Sequence, residues 1–255
     1  MIKSANGSIR VILPIILLFL FSCASTGRKQ SGLRDAEYYH NTGISYGKRG
    51  QYDQAILAFT HALEMNPNYF DAYISRGAAH ASKGQFDQAI SDYTKALEID
   101  PKGGIAYYNR GIAYGNKGQY DQAIADFSSA LEIKPASAAS YYNRGVAYAN
   151  KGQYDEALLD YTKTLEINPK YVDAYINRGV IQANKAQYDE AISDYTKALE
   201  IDPRAADAYY NRGVAYYSKR EYGKSWENIK KAQDLGYPIS PEFLDDLRKA
   251  SGEQN

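Results

Sequence analysis

The sequence predicts an all-α fold, a solenoid of helix–turn–helix repeats closed by one extra helix. Three observations carry that expectation. After residue 35 the chain resembles itself every 34 residues, and self-similarity at a period of this size marks stacked supersecondary units. Glycine and proline return at fixed places and divide each unit into two helix-length segments. Small residues and aromatics return at other fixed places, as the contacts between paired helices require.

The copies run 36–69, 70–103, 104–137, 138–171, 172–205 and 206–239. In each copy the first helix ends near position 15, where Gly50, Gly84, Gly118 and Gly152 suit a left-handed C-cap. The second starts at Asp53, Asp87, Asp121, Asp155 and Asp189, acids that face the positive end of the helix dipole. It stops before Pro67, Pro101, Pro135, Pro169 and Pro203. Position 8 is always glycine (Gly43, Gly77, Gly111, Gly145, Gly179, Gly213), and position 20 is alanine in five copies. Glycine inside a helix costs about 1 kcal/mol relative to alanine, so close approach of two backbones is expected there. The sixth copy degenerates, with Ser225, Ile229 and a displaced Pro238. Ser240-Pro241-Glu242 then opens a capping helix over 241–250, with Phe243, Leu244 and Leu247 on one face. Residues 240–255 are read as this helix and a tail.

These motifs resemble the tetratricopeptide repeat (TPR) over four-fifths of the chain. The resemblance implies a right-handed superhelix of six repeats whose first helices line a concave groove. Tyrosine, with 26 copies in 255 residues, fits the pattern, since it fills position 4 in all six repeats and recurs at positions 5, 11, 17 and 24. Those at positions 4, 11, 17 and 24 are expected to pack between helices with their hydroxyls outward.

The first 35 residues follow another rule. Lys3 and Arg10 precede an apolar run over 11–21, which is short for a membrane span of about 20 residues. Leu20-Phe21-Ser22-Cys23 resembles the lipobox of bacterial lipoproteins, and Cys23 is the only cysteine. Residues 1–22 are therefore read as a lipoprotein signal peptide, Cys23 as the lipidated residue and 23–35 as a flexible tether; an uncleaved anchor is the alternative. Ala24 after the cysteine suggests, by the enteric rule, an outer-membrane protein facing the periplasm.

Charge and motif content exclude several functions. Lysine plus arginine and aspartate plus glutamate both total 30, which disfavours nucleic acid. His40, His61 and His80 lack metal-site spacing, and no phosphate loop, nucleophile elbow or zinc-protease motif occurs. No enzyme, metal or cofactor is expected. Asp92, Asp160 and Asp194 are read as surface partners of Lys95, Lys163 and Lys197, while the arginines at position 7 are assigned to neighbouring helices.

The groove positions define the candidate site. Position 6 carries Asn41, Asn109, Asn143, Asn177 and Asn211, broken once by Ser75. A carboxamide both donates and accepts, so this row either holds the main chain of an extended peptide, like the asparagine ladder of other family members, or is a consensus residue that solvates well. Tyr108, Tyr142 and Tyr210 at position 5 are expected as aromatic walls, and Asn116, Asn150 and Asn184 at position 13 as further contacts. Position 9 (Ile44, Ala78, Ile112, Val146, Val180, Val214) forms an apolar floor. The basic residues of the family's carboxylate clamp are missing. Five amides at about 1 kcal/mol each and a few apolar contacts, less the cost of ordering a peptide, suggest affinity near micromolar. The function expected is a membrane-tethered adaptor that docks an extended segment of another envelope protein. The alternative is a structural assembly factor for a pilus, outer-membrane barrel or cell-wall complex, acting through its convex face or edges.

Overall fold

A computed structural model describes residues 31–252, with side chains from residue 35; residues 1–22, read above as a signal peptide, and Cys23 lie outside the described residues. The described residues form thirteen α-helices and no strand. They divide into two compact units that meet in sequence at residues 136 and 137.

The first unit holds three helical hairpins. These are α1 (Ser31–Lys48) with α2 (Tyr52–Met65), α3 (Phe70–Ser82) with α4 (Phe86–Ile99), and α5 (Gly104–Asn116) with α6 (Tyr120–Ile133). Each hairpin packs on the next, α2 against α3 and α4 against α5. The second unit repeats the plan with α7 (Ala138–Asn150) and α8 (Tyr154–Ile167), α9 (Val172–Asn184) and α10 (Tyr188–Ile201), and α11 (Ala206–Ser218) and α12 (Tyr222–Asp234). It ends in α13 (Pro241–Ser251), packed on α12. Helix α1 starts at Ser31, so residues 31–35, assigned above to the tether, are helical.

The punctuation acts as its chemistry requires. Gly50, Gly84, Gly118 and Gly152 have φ of +72° to +78°. In the next two repeats Ala186 (φ 59°) and Arg220 (φ 63°) take the same left-handed turn without glycine, at a steric cost of about 1 kcal/mol or more. Ser240 caps α13, its Oγ accepting from the Phe243 N–H at 3.2 Å, and Leu247 on that helix is fully buried.

The glycine at position 8 has a different cause from the one expected. A Cβ on Gly77 would stand 2.7 Å from the Tyr93 ring, and one on Gly179 2.7 Å from the Tyr195 ring. The groove cut by each glycine is filled by the position-24 side chain of the same hairpin, not by a backbone. Those tyrosines are sealed as well: Tyr93, Tyr161 and Tyr195 are 2% exposed or less, so their hydroxyls do not reach outward. Burial pushes all three phenols well above their usual range.

The acids at position 23 also depart from expectation. Asp92 and Asp194 are 5% exposed. Arg76 donates to Asp92 through Nε (2.9 Å) and Nη2 (2.7 Å), and through Nη1 to Thr60 Oγ1 (3.1 Å) on the preceding hairpin. Arg178 does the same with Asp194 (2.7 Å twice) and Thr162 (3.1 Å). Each such arginine thus ties three helices together, and it also lies over the position-4 tyrosine of its own helix, at 5.6 Å for Tyr73 and 5.8 Å for Tyr175. Lys95, Lys163 and Lys197 turn instead to Glu98, Glu166 and Glu200 (2.6–2.7 Å). A buried carboxylate must be matched by a buried donor, and the planar arginine fork fits it with two bonds where an exposed lysine cannot.

Candidate functional site

The first helices of consecutive repeats touch, α1 with α3 and α3 with α5 in the first unit, α9 with α11 in the second. The predicted groove residues lie on the first helices α1, α5, α7, α9 and α11, and the structure sorts them into three groups.

Four are built into the scaffold. Tyr108 is 7% exposed, with its ring centroid 6.0 Å from that of Phe127. Tyr142 is 3% exposed, between Tyr171 (4.7 Å) and Tyr161 (5.9 Å). Asn143 and Asn177 are buried, and Asn177 Nδ2 donates to the Tyr142 hydroxyl at 3.1 Å. The groove roles expected of Asn143 and Asn177 in the amide row, and of Tyr108 and Tyr142 as aromatic walls, are therefore corrected. Tyr142 at position 5 reaches Asn177 at position 6 of the next repeat, where a buried hydroxyl and a buried amide pair. His40 fills the same place in the first repeat. Its ring nitrogens lie 3.1 Å from Ser75 Oγ and 3.3 Å from the Tyr69 hydroxyl. Burial lowers its pKa, against the opposing pull of Asp71 and Glu37.

Two more are folded back on their own helix. Asn116 Nδ2 donates to the Ile112 carbonyl at 2.9 Å, and Asn150 Nδ2 to that of Val146 at 2.8 Å. The rest are open. Asn41 is exposed and Asn109 half-buried in the first unit. In the second, Asn184 is exposed and Tyr210 and Asn211 are half-buried. These last three line one cleft of about 240 Å³ between α9 and α11, with Val180, Val214 and Ser218. The Tyr210 ring is held by stacking on Tyr237 at 4.5 Å and 20°.

Tyr188 also lines the cleft. Sequence reasoning assigned it to packing, because position 17 is aromatic in every repeat. The Arg–Asp–Thr tie was missed too, although a signal existed. The first repeat has Thr42 and Ala58 where the next four have the arginine and the aspartate, so the two residues vanish together.

No cluster of three or more histidine, cysteine or acidic side chains able to hold a metal occurs among the described residues. No described helix is long and apolar enough to cross a membrane. The cleft offers neutral hydrogen-bonding groups and apolar surface. It is suited to holding a chain, and its lining includes no carboxylate, imidazole, amine or thiol.

Fold and cleft together describe a helical-repeat binding scaffold. Tetratricopeptide repeat models match residues 36–69 and 138–171, 58–91 and 160–193, and a TPR repeat model matches 79–118, 116–152 and 185–219. The chain belongs to the tetratricopeptide repeat family. It is similar to YrrB, whose structure is described as that of a TPR protein with an unusual peptide-binding site (31% identity over 75% of this chain and 98% of that one, TM-score 0.63). It is also similar to MamA (29% identity over 64% of this chain and 96% of that one, TM-score 0.61). An uncharacterized protein of Methanocaldococcus jannaschii, MJ0572, is 36% identical over 44 residues; the match spans 17% of this chain and about half (51%) of that protein.

Proposed function

We propose that this chain is a membrane-tethered adaptor that binds an extended peptide segment of another cell-envelope protein. The observation that carries the binding half is the α9–α11 cleft. Asn184 and Asn211 line it and make no hydrogen bond of their own among the described residues. Asn116, Asn150 and Asn177, the same residue type at the same repeat positions, are already occupied. The likeness to YrrB, a protein with a peptide-binding site, supports the same reading.

The tether half rests on sequence. Lys3 and Arg10, the apolar run over 11–21 and the lone Cys23 fit a lipoprotein of the bacterial envelope, held on the outer membrane and facing the periplasm. Several acyl chains anchor stably where one does not, and a tethered groove meets co-localised partners at raised effective concentration.

Two measurements test the two halves. Panning a displayed random peptide library on the full chain should enrich binders. The double substitution Asn184→Ala and Asn211→Ala should weaken them about tenfold or more, at roughly 1 kcal/mol for each lost bond. Binding that ignores both substitutions rejects the groove mechanism. For the anchor, Cys23→Ala protein should leave the detergent phase on phase separation; unchanged partitioning rejects acylation.

A further inference from the structure

The cleft of the second unit has a definite size and carries no charge. At about 240 Å³ it has room for about eight waters at ~30 Å³ each, the bulk of one large side chain with some main chain. Val180, Ala183, Val214 and Ala215 give it apolar surface, and the rings of Tyr188 and Tyr210 add more. Its polar groups are amides and hydroxyls only. A lysine or glutamate side chain seated there would lose its hydration and meet no opposite charge. A bulky apolar side chain would replace water on apolar walls, which is the favourable exchange.

The matching place in the first unit is built differently. Ala78 stands for Val180 and Ser82 for Asn184, and the Ser82 hydroxyl is spent on the Ala78 carbonyl at 2.9 Å. Tyr108, standing for Tyr210, is buried. The pairing of two unoccupied amides with an open aromatic ring is thus a feature of α9 and α11.

We propose that this cleft selects one bulky uncharged side chain, of the leucine, methionine or phenylalanine class, within the extended segment of the partner. Asn184 and Asn211 bond the main chain beside that anchor. The inference rests on the peptide-binding reading above and adds the residue class that is read.

The test is selection from a displayed random dodecapeptide library on the full-length protein and two variants. Wild type should enrich peptides that share one bulky apolar position with no charge adjacent to it. Ala183→Trp fills the cleft and should weaken a selected peptide about tenfold or more. Ser218→Asp, at an exposed site on the cleft, should shift the enriched residue toward lysine or arginine. Peptides that need Asn184 and Asn211 but share no apolar position, and bind Ala183→Trp equally well, overturn the anchor and leave the adaptor reading standing. No enrichment at all removes both. Should Ala183→Trp lose its helical circular dichroism, the Ser218→Asp selection decides, and an unchanged preference there overturns the proposal.

Discussion

Arg76 grips Asp92 in the first unit, and 102 residues further on Arg178 grips Asp194 in the second, with a closest contact of 2.7 Å in both. The correspondence is general. Residues 89–101 and 191–203 are identical, and two family models match twice at the same offset, 36–69 with 138–171 and 58–91 with 160–193. Each unit is one three-repeat plan written out in full. The first helices differ along the groove side, with Ala78 against Val180, Ser82 against Asn184 and Asn116 against Ser218, and in the packed interior, with His40 against Tyr142. Among the second helices only α4 and α10 are copied closely, and the Arg76–Asp92 tie with them; α6 and α12 differ at most positions, Asn228 stands where the first unit has Asp126, and Thr42 and Ala58 stand where the second unit has Arg144 and Asp160. The shared plan fixes the period and the hairpin packing, and single positions of both helices differ within it.

The strongest way to break this equivalence is to cut the tie. Asp92→Ala and Asp194→Ala each leave a largely buried guanidinium without its carboxylate, and each should cost about 2–3 kcal/mol in denaturant unfolding, somewhat below the fully buried case. Asp194→Asn should cost less, about 1 kcal/mol, because the sixth repeat already runs on an amide: Arg212 Nε donates to Asn228 Oδ1 at 2.8 Å. Unequal losses for Asp92 and Asp194 would show that the units do not share their energetics.

A smaller test uses the left-handed turn, which is glycine at 84 and alanine at 186. Gly84→Ala should lose about 1 kcal/mol, and Ala186→Gly should gain somewhat less, because glycine also loosens the unfolded chain. Thermal melts of the two variants should shift in opposite directions; a shift of the same sign would refute the strain argument.

The smallest effect concerns pH. His40 has its pKa lowered chiefly by burial, so the folded protein binds this proton less readily than the unfolded chain does. Stability from this group is present above about pH 6.5 and is lost as pH falls toward the folded-state pKa. His40→Tyr copies Tyr142 from the second unit and should flatten the pH dependence of unfolding in that window. If the slope survives, another group is responsible.

The period, the capping helix and the helix boundaries other than the start of α1 could be read from the sequence because they rest on local chemistry. Gly50 and Gly84 end helices through their own dihedral freedom, and Ser240 caps through its own hydroxyl. Asn177, Asn184 and Asn211 show where such reading stops. Asn177 and Asn211 both hold position 6, yet one is buried against Tyr142 and the other stands half-buried beside Tyr210, while Asn184 lies open at position 13, where Asn150 is folded back on the Val146 carbonyl. Which fate each meets depends on the side chain one repeat away, and repeat consensus does not report it.

By itself the sequence determined the number of repeats and the place of the turns between their helices, since helix caps and prolines act within a few residues of themselves. Only tertiary structure decided that the position-23 aspartates are interior, that position-24 rings fill the glycine grooves, and that two asparagines of the row are scaffold. Burial is a property of what packs opposite, and a charge or an amide changes its role when water is removed from around it.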